Sequence, residues 1–350
     1  MRKTLVLMFF LLIAGTWAQD KPTNIILCIG DGMGIGQLSS LLLTDSNAAL
    51  ARFPVVGLVK TPSKSSLVTE SAASGTALST GMRTRNGFIA VDSSGNLAET
   101  LFERAHSLGK KTGLIVTSSV TDKTPAAFVA HTTSTKDEDE IARQIASSNI
   151  DVLIGGGWKH FFPKSLGGVR HDRENLLALM ESTRYTIRTN HECPDGEGKK
   201  ALLVERDALP PAGRRDYSLA DLVQCALASL ARDDTGFLCV VEGSQIDWAC
   251  HDNDFPGLLR KMRDFDAAVD AALRFAGEDR RTLVIVTADH ETGGLSVSGK
   301  DPRGSDIRGS WTGTWHTASL IAMCAFGSGA TRFAGVKTHD EIGRILFSLL

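Results

Sequence analysis

At 350 residues, with 42% hydrophobic and 22% charged side chains, the chain has ordinary globular composition and enough apolar material for a large core. Its formal net charge of -2 excludes a bulk attraction to nucleic acid or to anionic membranes, so no nucleic-acid-binding surface is expected. Function must be sought in local clusters of side chains.

At the amino terminus Arg2 and Lys3 precede an apolar run from Leu5 to Ala14, and Thr16-Trp17-Ala18 supplies small residues at cleavage positions. This layout predicts a signal peptide over residues 1–18, and hence export to a periplasm or the outside. The run is shorter than the roughly 20 residues that span a bilayer, so an uncleaved anchor is the weaker reading. No later stretch is long and apolar enough to cross a membrane.

Apolar, β-rich runs follow at Asn24–Ile29, Val55–Val59, Thr112–Thr117, Asp151–Ile154, Phe237–Val241, Thr282–Thr287 and Ser319–Ala325. Helical patterns lie between them, among them Leu97–Leu108, Asp137–Ser147, Leu219–Arg232 and Leu258–Phe275. Strands alternating with helices predict an α/β sheet covered on both faces. Residues 19–350 are expected to form one domain. Two stretches, about 160–215 and 296–315, are rich in charge, Gly, Ser or Pro and read as insertions on it. The six cysteines show no zinc-thiolate spacing; Cys28, Cys239 and Cys324 read as small buried hydrophobes, and any disulfide pairing stays open. His106, His160, His171, His191 and His339 read as solvated and His131 as structural.

Chemistry gathers where strands end, the place where open α/β sheets bind ligands. Ile29-Gly30-Asp31-Gly32-Met33-Gly34 puts one carboxylate in a glycine turn. A dinucleotide loop is the competing reading, but Asp31 would face the pyrophosphate and no acidic residue follows about 20 positions on. Glu242 ends another strand, and Asp247 and His251 follow at i, i+4, one face of a helix. Taken alone, that pair is better explained by a helix-start acid and a solvated or core histidine. Asp289-His290-Glu291 ends a third strand, and His316 precedes a fourth. Together they predict a multinuclear metal site. Asp247, His251, His316, Asp289 and His290 offer nitrogen and oxygen suited to zinc. Asp31, Thr124 and Glu242 offer oxygen alone, suited to magnesium. Ser71 opens a helix of small residues in Thr69-Glu70-Ser71-Ala72-Ala73-Ser74. Such a serine is usually a bare cap, but helix-start N–H groups also bind phosphate. With no adjacent base, Ser71 would need a metal to become a nucleophile.

Gly30-Asp31-Gly32-Met33-Gly34, Thr69–Ser74, Thr124-Pro125-Ala126-Ala127, Glu242–Asp247, Ala288–Gly294 and His316-Thr317 together resemble the alkaline phosphatase family, from Asn24 to Leu350. The resemblance implies a doubly wound mixed sheet sandwiched between helical layers, usually in a homodimer. It implies hydrolysis of phosphate monoesters of broad range, with an alkaline optimum, through a phosphoserine at Ser71. Two zinc ions and one magnesium are implied: one zinc on Asp247, His251 and His316, the other on Asp31, Asp289 and His290. The magnesium would lie on Asp31, Thr124 and Glu242, with Asp122 orienting its water. The chain departs from the family in two coupled places. Thr135, followed by Lys136, stands where the family has a phosphate-binding Arg, and Glu70 stands where it has the Asp that steadies that Arg. Lys136, or failing it Arg85, is the expected partial replacement in substrate binding, against the plainer reading of Lys136 as a solvated charge opening a helix. Trp248 also replaces a Lys or His that works beside the acid matching Asp122 in some members. A phosphodiesterase of the same superfamily and a phosphate-binding pseudoenzyme are the alternatives.

Overall fold

A computed structural model describes residues 21–232 and 234–350; the expected signal peptide, 1–18, lies outside them. The chain begins with β1 (Asn24–Gly30) and α1 (Ile35–Thr44), then β2 (Val55–Lys60) and α2 (Ser71–Thr80). Next come α3 (Leu101–Ser107), β3 (Lys111–Ser119), α4 (Lys123–Ala126), α5 (Glu138–Ser147) and β4 (Val152–Gly156). The middle holds α6 (Leu176–Ser182), β5 (Tyr185–Arg188), β6 (Lys199–Glu205), α7 (Leu219–Leu230), β7 (Phe237–Gly243) and α8 (Gln245–His251). Then follow α9 (Phe255–Asp279), β8 (Thr282–Ala288), β9 (Glu291–Thr292), β10 (Ser296–Ser298), β11 (Arg308–Ser310) and β12 (His316–Thr317). The chain closes with β13 (Ile321–Gly327), β14 (Gly335–Thr338) and α10 (His339–Leu349).

Ten strands form one sheet in the order β14-β2-β13-β8-β1-β7-β3-β4-β6-β5. It is mixed as expected, because β13 runs antiparallel to both β8 and β2 while the other pairings are parallel. Strands β1, β7 and β8 are buried along their whole length, which is why they read as unbroken apolar runs. Register then aligns their ends. Gly30 pairs with both Gly243 and Ala288, so Asp31, Glu242 and Asp289 emerge at one edge of the sheet.

The segment 160–215, expected as an insertion, supplies β5 and β6 to the sheet itself. Lysines at its start hid β6. Lys200 is buried and gives its ammonium to the Pro194 carbonyl at 2.6 Å. Buried Arg170 pins the same segment to the carbonyls of Asp139 and His160. His160 and His339, expected in solvent, are buried. His160 lies 3.0 Å from Glu138 and 3.2 Å from Asp139, and His339 lies 3.0 Å from the Ala288 carbonyl. Cys28, Cys239 and Cys324 are buried as read, and they are free; burial pushes the Cys28 thiol up to about 12. No helix among the described residues is long and apolar enough to cross a membrane.

Cys193 and Cys225 form a disulfide, tying the exposed loop after β5 to α7 across 32 residues. Closing a loop of that size removes roughly 3–4 kcal/mol of unfolded-state entropy. Urea unfolding of a Cys193→Ser/Cys225→Ser double variant is therefore expected to show a loss of that order. An unchanged midpoint would mean the loop is held by its other contacts.

Candidate active site

The turn after β1 must bring its carboxylate close to α8, and Gly32 permits this. Its φ is +71°, and a Cβ there would lie 2.8 Å from the Asp247 Cα; only glycine combines that conformation with that approach. The Gly32 N–H donates to Asp289 Oδ1 at 3.0 Å, joining the turn to the end of β8. A second close approach sets Ser71. Helix α2 is buried at every residue, because its small side chains let neighbours come near. A Cβ on Gly75 would touch Ala127 Cβ at 3.0 Å and lie 3.5 Å from the Thr124 Cα. The helix carrying Ser71 thus rests on α4, which carries Thr124.

Two groups of ligand-type side chains result. Asp247, His251 and His316 each offer an atom within 4.8 Å of the others, and so do Asp31, Asp289 and His290. The two groups touch, with the His290 and His316 rings stacked at 3.6 Å. Ser71 Oγ lies 3.3 Å from His290 Nε2. Beside them, burial and the nearby Asp122 charge raise the Glu242 carboxyl well above its usual range, and Thr124 hydrogen-bonds to it.

The electrostatics describe a dry, overcharged site. Burial first, then Asp289 and Asp247, push Asp31 well up. Burial raises Asp122. Burial opposes ionisation of Asp289 and His290, yet each holds the other charged, the carboxyl shifted down and the imidazole up. The hydrogen bond between His251 and Asp247 raises the imidazole, whereas burial and the neighbouring His290 push His316 down to about 4. Asp31 Oδ1, Asp289 Oδ2 and Glu242 Oε2 are buried without a hydrogen-bond partner. Asp289 Oδ2 does lie 3.1 Å from His290 Nε2, an ion-pair distance without hydrogen-bond geometry.

Three residues escaped the sequence reading. The Thr292 hydroxyl donates to Asp247 Oδ1 at 2.5 Å and lies 3.2 Å from His290 Nδ1, bridging the two groups. The Thr314 carbonyl lies 2.6 Å from His251 Nδ1 and orients that ring. Trp315 stacks on His316. The last two belong to the stretch 296–315, which folds partly as the β10–β11 hairpin and leads back across the site. Thr292 stood inside the Asp-His-Glu-Thr motif, and its place beside Asp289 and His290 was the available signal.

Around Ser71 one expectation changes. Glu70 caps α2, accepting from the N–H groups of Ala72 and Ala73 at 3.0 and 2.8 Å and from Gly87 at 2.8 Å. Of the helix-start donors, those of Ala72 and Ala73 are therefore taken by the protein's own carboxylate and are not open to an anion. Thr135 is half-buried, and Lys136 and Arg85 are exposed. Lys136 stands just before α5, its N–H 3.4 Å from Ser134 Oγ.

The family model described as alkaline phosphatase matches residues 22–311. Alkaline phosphatase 4 of Bacillus subtilis is 35% identical over 328 residues, covering 87% of this chain and 67% of that protein. Alkaline phosphatase 3 of the same organism is 37% identical over 299 residues, covering 80% and 63%. The chain thus spans about two thirds of the length of these relatives. The Escherichia coli alkaline phosphatase is 30% identical, covering 93% of this chain and 85% of that one. Among solved structures, alkaline phosphatase from the Antarctic bacterium TAB5 superposes with a TM-score of 0.87 at 34% identity, covering 94% and 98%. A mutant of that enzyme was solved with Mg bound in its M3 site. With this match over most of its length, the chain belongs to the alkaline phosphatase family.

Proposed function

We propose that this protein is a phosphomonoesterase in which Ser71 accepts the phosphoryl group. The observation that carries the reading is Ser71 Oγ held 3.3 Å from His290 Nε2, beside two touching groups of metal-ligand side chains. Asp247, His251 and His316 would hold one zinc, and Asp31, Asp289 and His290 the other. Asp31, Thr124 and Glu242 would hold a magnesium, with Asp122 next to it. The donors suit these ions, nitrogen with oxygen for zinc and oxygen alone for magnesium. The orphaned oxygens of Asp31, Asp289 and Glu242 support the fit, since buried carboxylates without partners are costly unless a cation faces them. Bound there, the ions would lower the pKa of the Ser71 hydroxyl and neutralise charge on the phosphoryl oxygens.

The chain's own contribution is position. Because α2 is buried throughout, Ser71 attacks from a fixed point. Its oxygen bonds to phosphorus as the ester oxygen leaves with the alcohol, and water then cleaves the phosphoserine to release phosphate. Export is supported by the Arg2-Lys3 and Leu5–Ala14 pattern and by the disulfide, which fits an oxidising compartment. The single-domain and homodimer readings rest on the sequence pattern and the family resemblance.

Hydrolysis of a chromogenic phosphomonoester is expected to disappear on chelation and to return with zinc and magnesium. Ser71→Ala should abolish turnover while leaving bound metal, measured by elemental analysis, unchanged. Absence of chelator-sensitive turnover in the wild type would leave the pseudoenzyme reading standing.

Thr292→Val deletes the hydroxyl that orients Asp247 and His290. Loss of such a supporting hydrogen bond typically costs about 10–100-fold in metal affinity, and a zinc titration should register a drop of that order. Unchanged affinity would mean the ligands are held without Thr292.

For phosphate itself we extend the reading to Lys136. A point charge lacks the planar fork of the family's Arg, so its grip is weaker. Lys136→Ala is expected to raise both KM and the inhibition constant for phosphate. If neither moves, Lys136 is a solvated charge, and Arg85→Ala becomes the variant to measure.

A further inference from the structure

We infer that Trp315 is a stacking platform for the leaving group, so that the site favours phosphomonoesters whose alcohol carries a planar aromatic ring. This rests on the phosphomonoesterase reading above. Trp315 is 69% exposed, and an indole that open to water contributes little to a core. One side of its ring is committed to the site: it stacks on His316 at 5.2 Å and 13°, and lies 5.1 Å from the His251 ring at 56°. Those histidines belong to the Asp247 group. The rest of the indole faces solvent.

Its position is fixed by its backbone. The Trp315 carbonyl accepts from the Gly293 N–H at 2.9 Å, and the preceding Thr314 carbonyl lies 2.6 Å from His251 Nδ1. An aromatic held in this way loses little freedom when a ligand stacks on it.

The direction of the reaction places the alcohol there. Ser71 Oγ contacts His290 in the Asp31 group. Attacking and leaving oxygens lie roughly in line through phosphorus. A nucleophile on the His290 side therefore sends the alcohol toward the adjoining Asp247 group, where Trp315 covers His251 and His316. A planar ring on that alcohol meets the open indole; a short aliphatic chain does not.

The test compares adenosine 5'-monophosphate with glycerol 1-phosphate on the metal-loaded enzyme. Both are primary alkyl esters, so the intrinsic ease of departure is matched and the planar base is the main difference. Base–aromatic stacking implies that Trp315→Ala lowers the nucleotide-to-glycerol ratio of kcat/KM by about fivefold or more, and that Trp315→Phe keeps most of it. A ratio unchanged in an active Trp315→Ala variant overturns the inference, because a tryptophan that merely shelters the histidines affects both esters alike. Chelator-insensitive or absent turnover of both esters by the wild type would instead overturn the phosphomonoesterase reading itself.

Discussion

The site depends on carboxylates gathered where water cannot screen them. Asp31, Asp289, Asp247 and Glu242 are all buried at one sheet edge, and each adds to the cost of ionising another. Two imidazoles offset part of this, His290 against Asp289 and His251 against Asp247. The remainder is left on Asp31 and Glu242, whose carboxyls are raised and whose outward oxygens have no partner. Such a concentration of like charge is costly unless protons or a bound cation neutralise it, and it marks a functional site. The chemistry therefore follows from an electrostatic debt built into the fold.

Backbone packing makes that concentration attainable. Parallel pairing of β1 with β7 and β8 stacks three strand ends side by side, and the short helix α4 after β3, capped by Asp122, brings Asp122 and Thr124 beside Glu242. Gly32 then lets the first turn lie against α8, and the small residues of α2 let Ser71 sink in among the ligands. Side chains larger than those present would separate the groups by the few ångströms that decide whether they share an ion.

This also explains which parts were legible in the sequence. Strands β1, β7 and β8 are buried on both faces, so hydrophobic runs announced them and the polar residues at their ends stood out. Strand β6 begins with two lysines, and only the structure shows Lys200 turned inward to a carbonyl. His339 sits beside Lys337, Asp340 and Glu341, and His160 follows Lys159; both looked solvated, because burial is a long-range property that a neighbouring letter does not carry. Thr292 and Trp315 were visible in the motifs, but their contacts with Asp247 and His316 arise from chain segments 45 residues apart in one case and from one tight turn in the other. The Cys193–Cys225 pairing needed the three-dimensional distance.

Glu70 ties the start of α2 to the chain at Gly87. Its carboxylate accepts from the N–H groups of Ala72, Ala73 and Gly87. A carboxylate receiving three backbone donors has little capacity left to steady a guanidinium, and the family resemblance implies that Thr135 stands in place of one. On the family resemblance the two departures would be a single change: an acid placed to orient a phosphate-binding cation would instead stiffen the helix carrying Ser71. Loss of that fork would shift the burden of holding the phosphoryl group toward bound ions and the surrounding walls. An exposed indole fixed against His316 is one such wall, and it acts on the alcohol, the part of the substrate that the phosphate contacts leave unread.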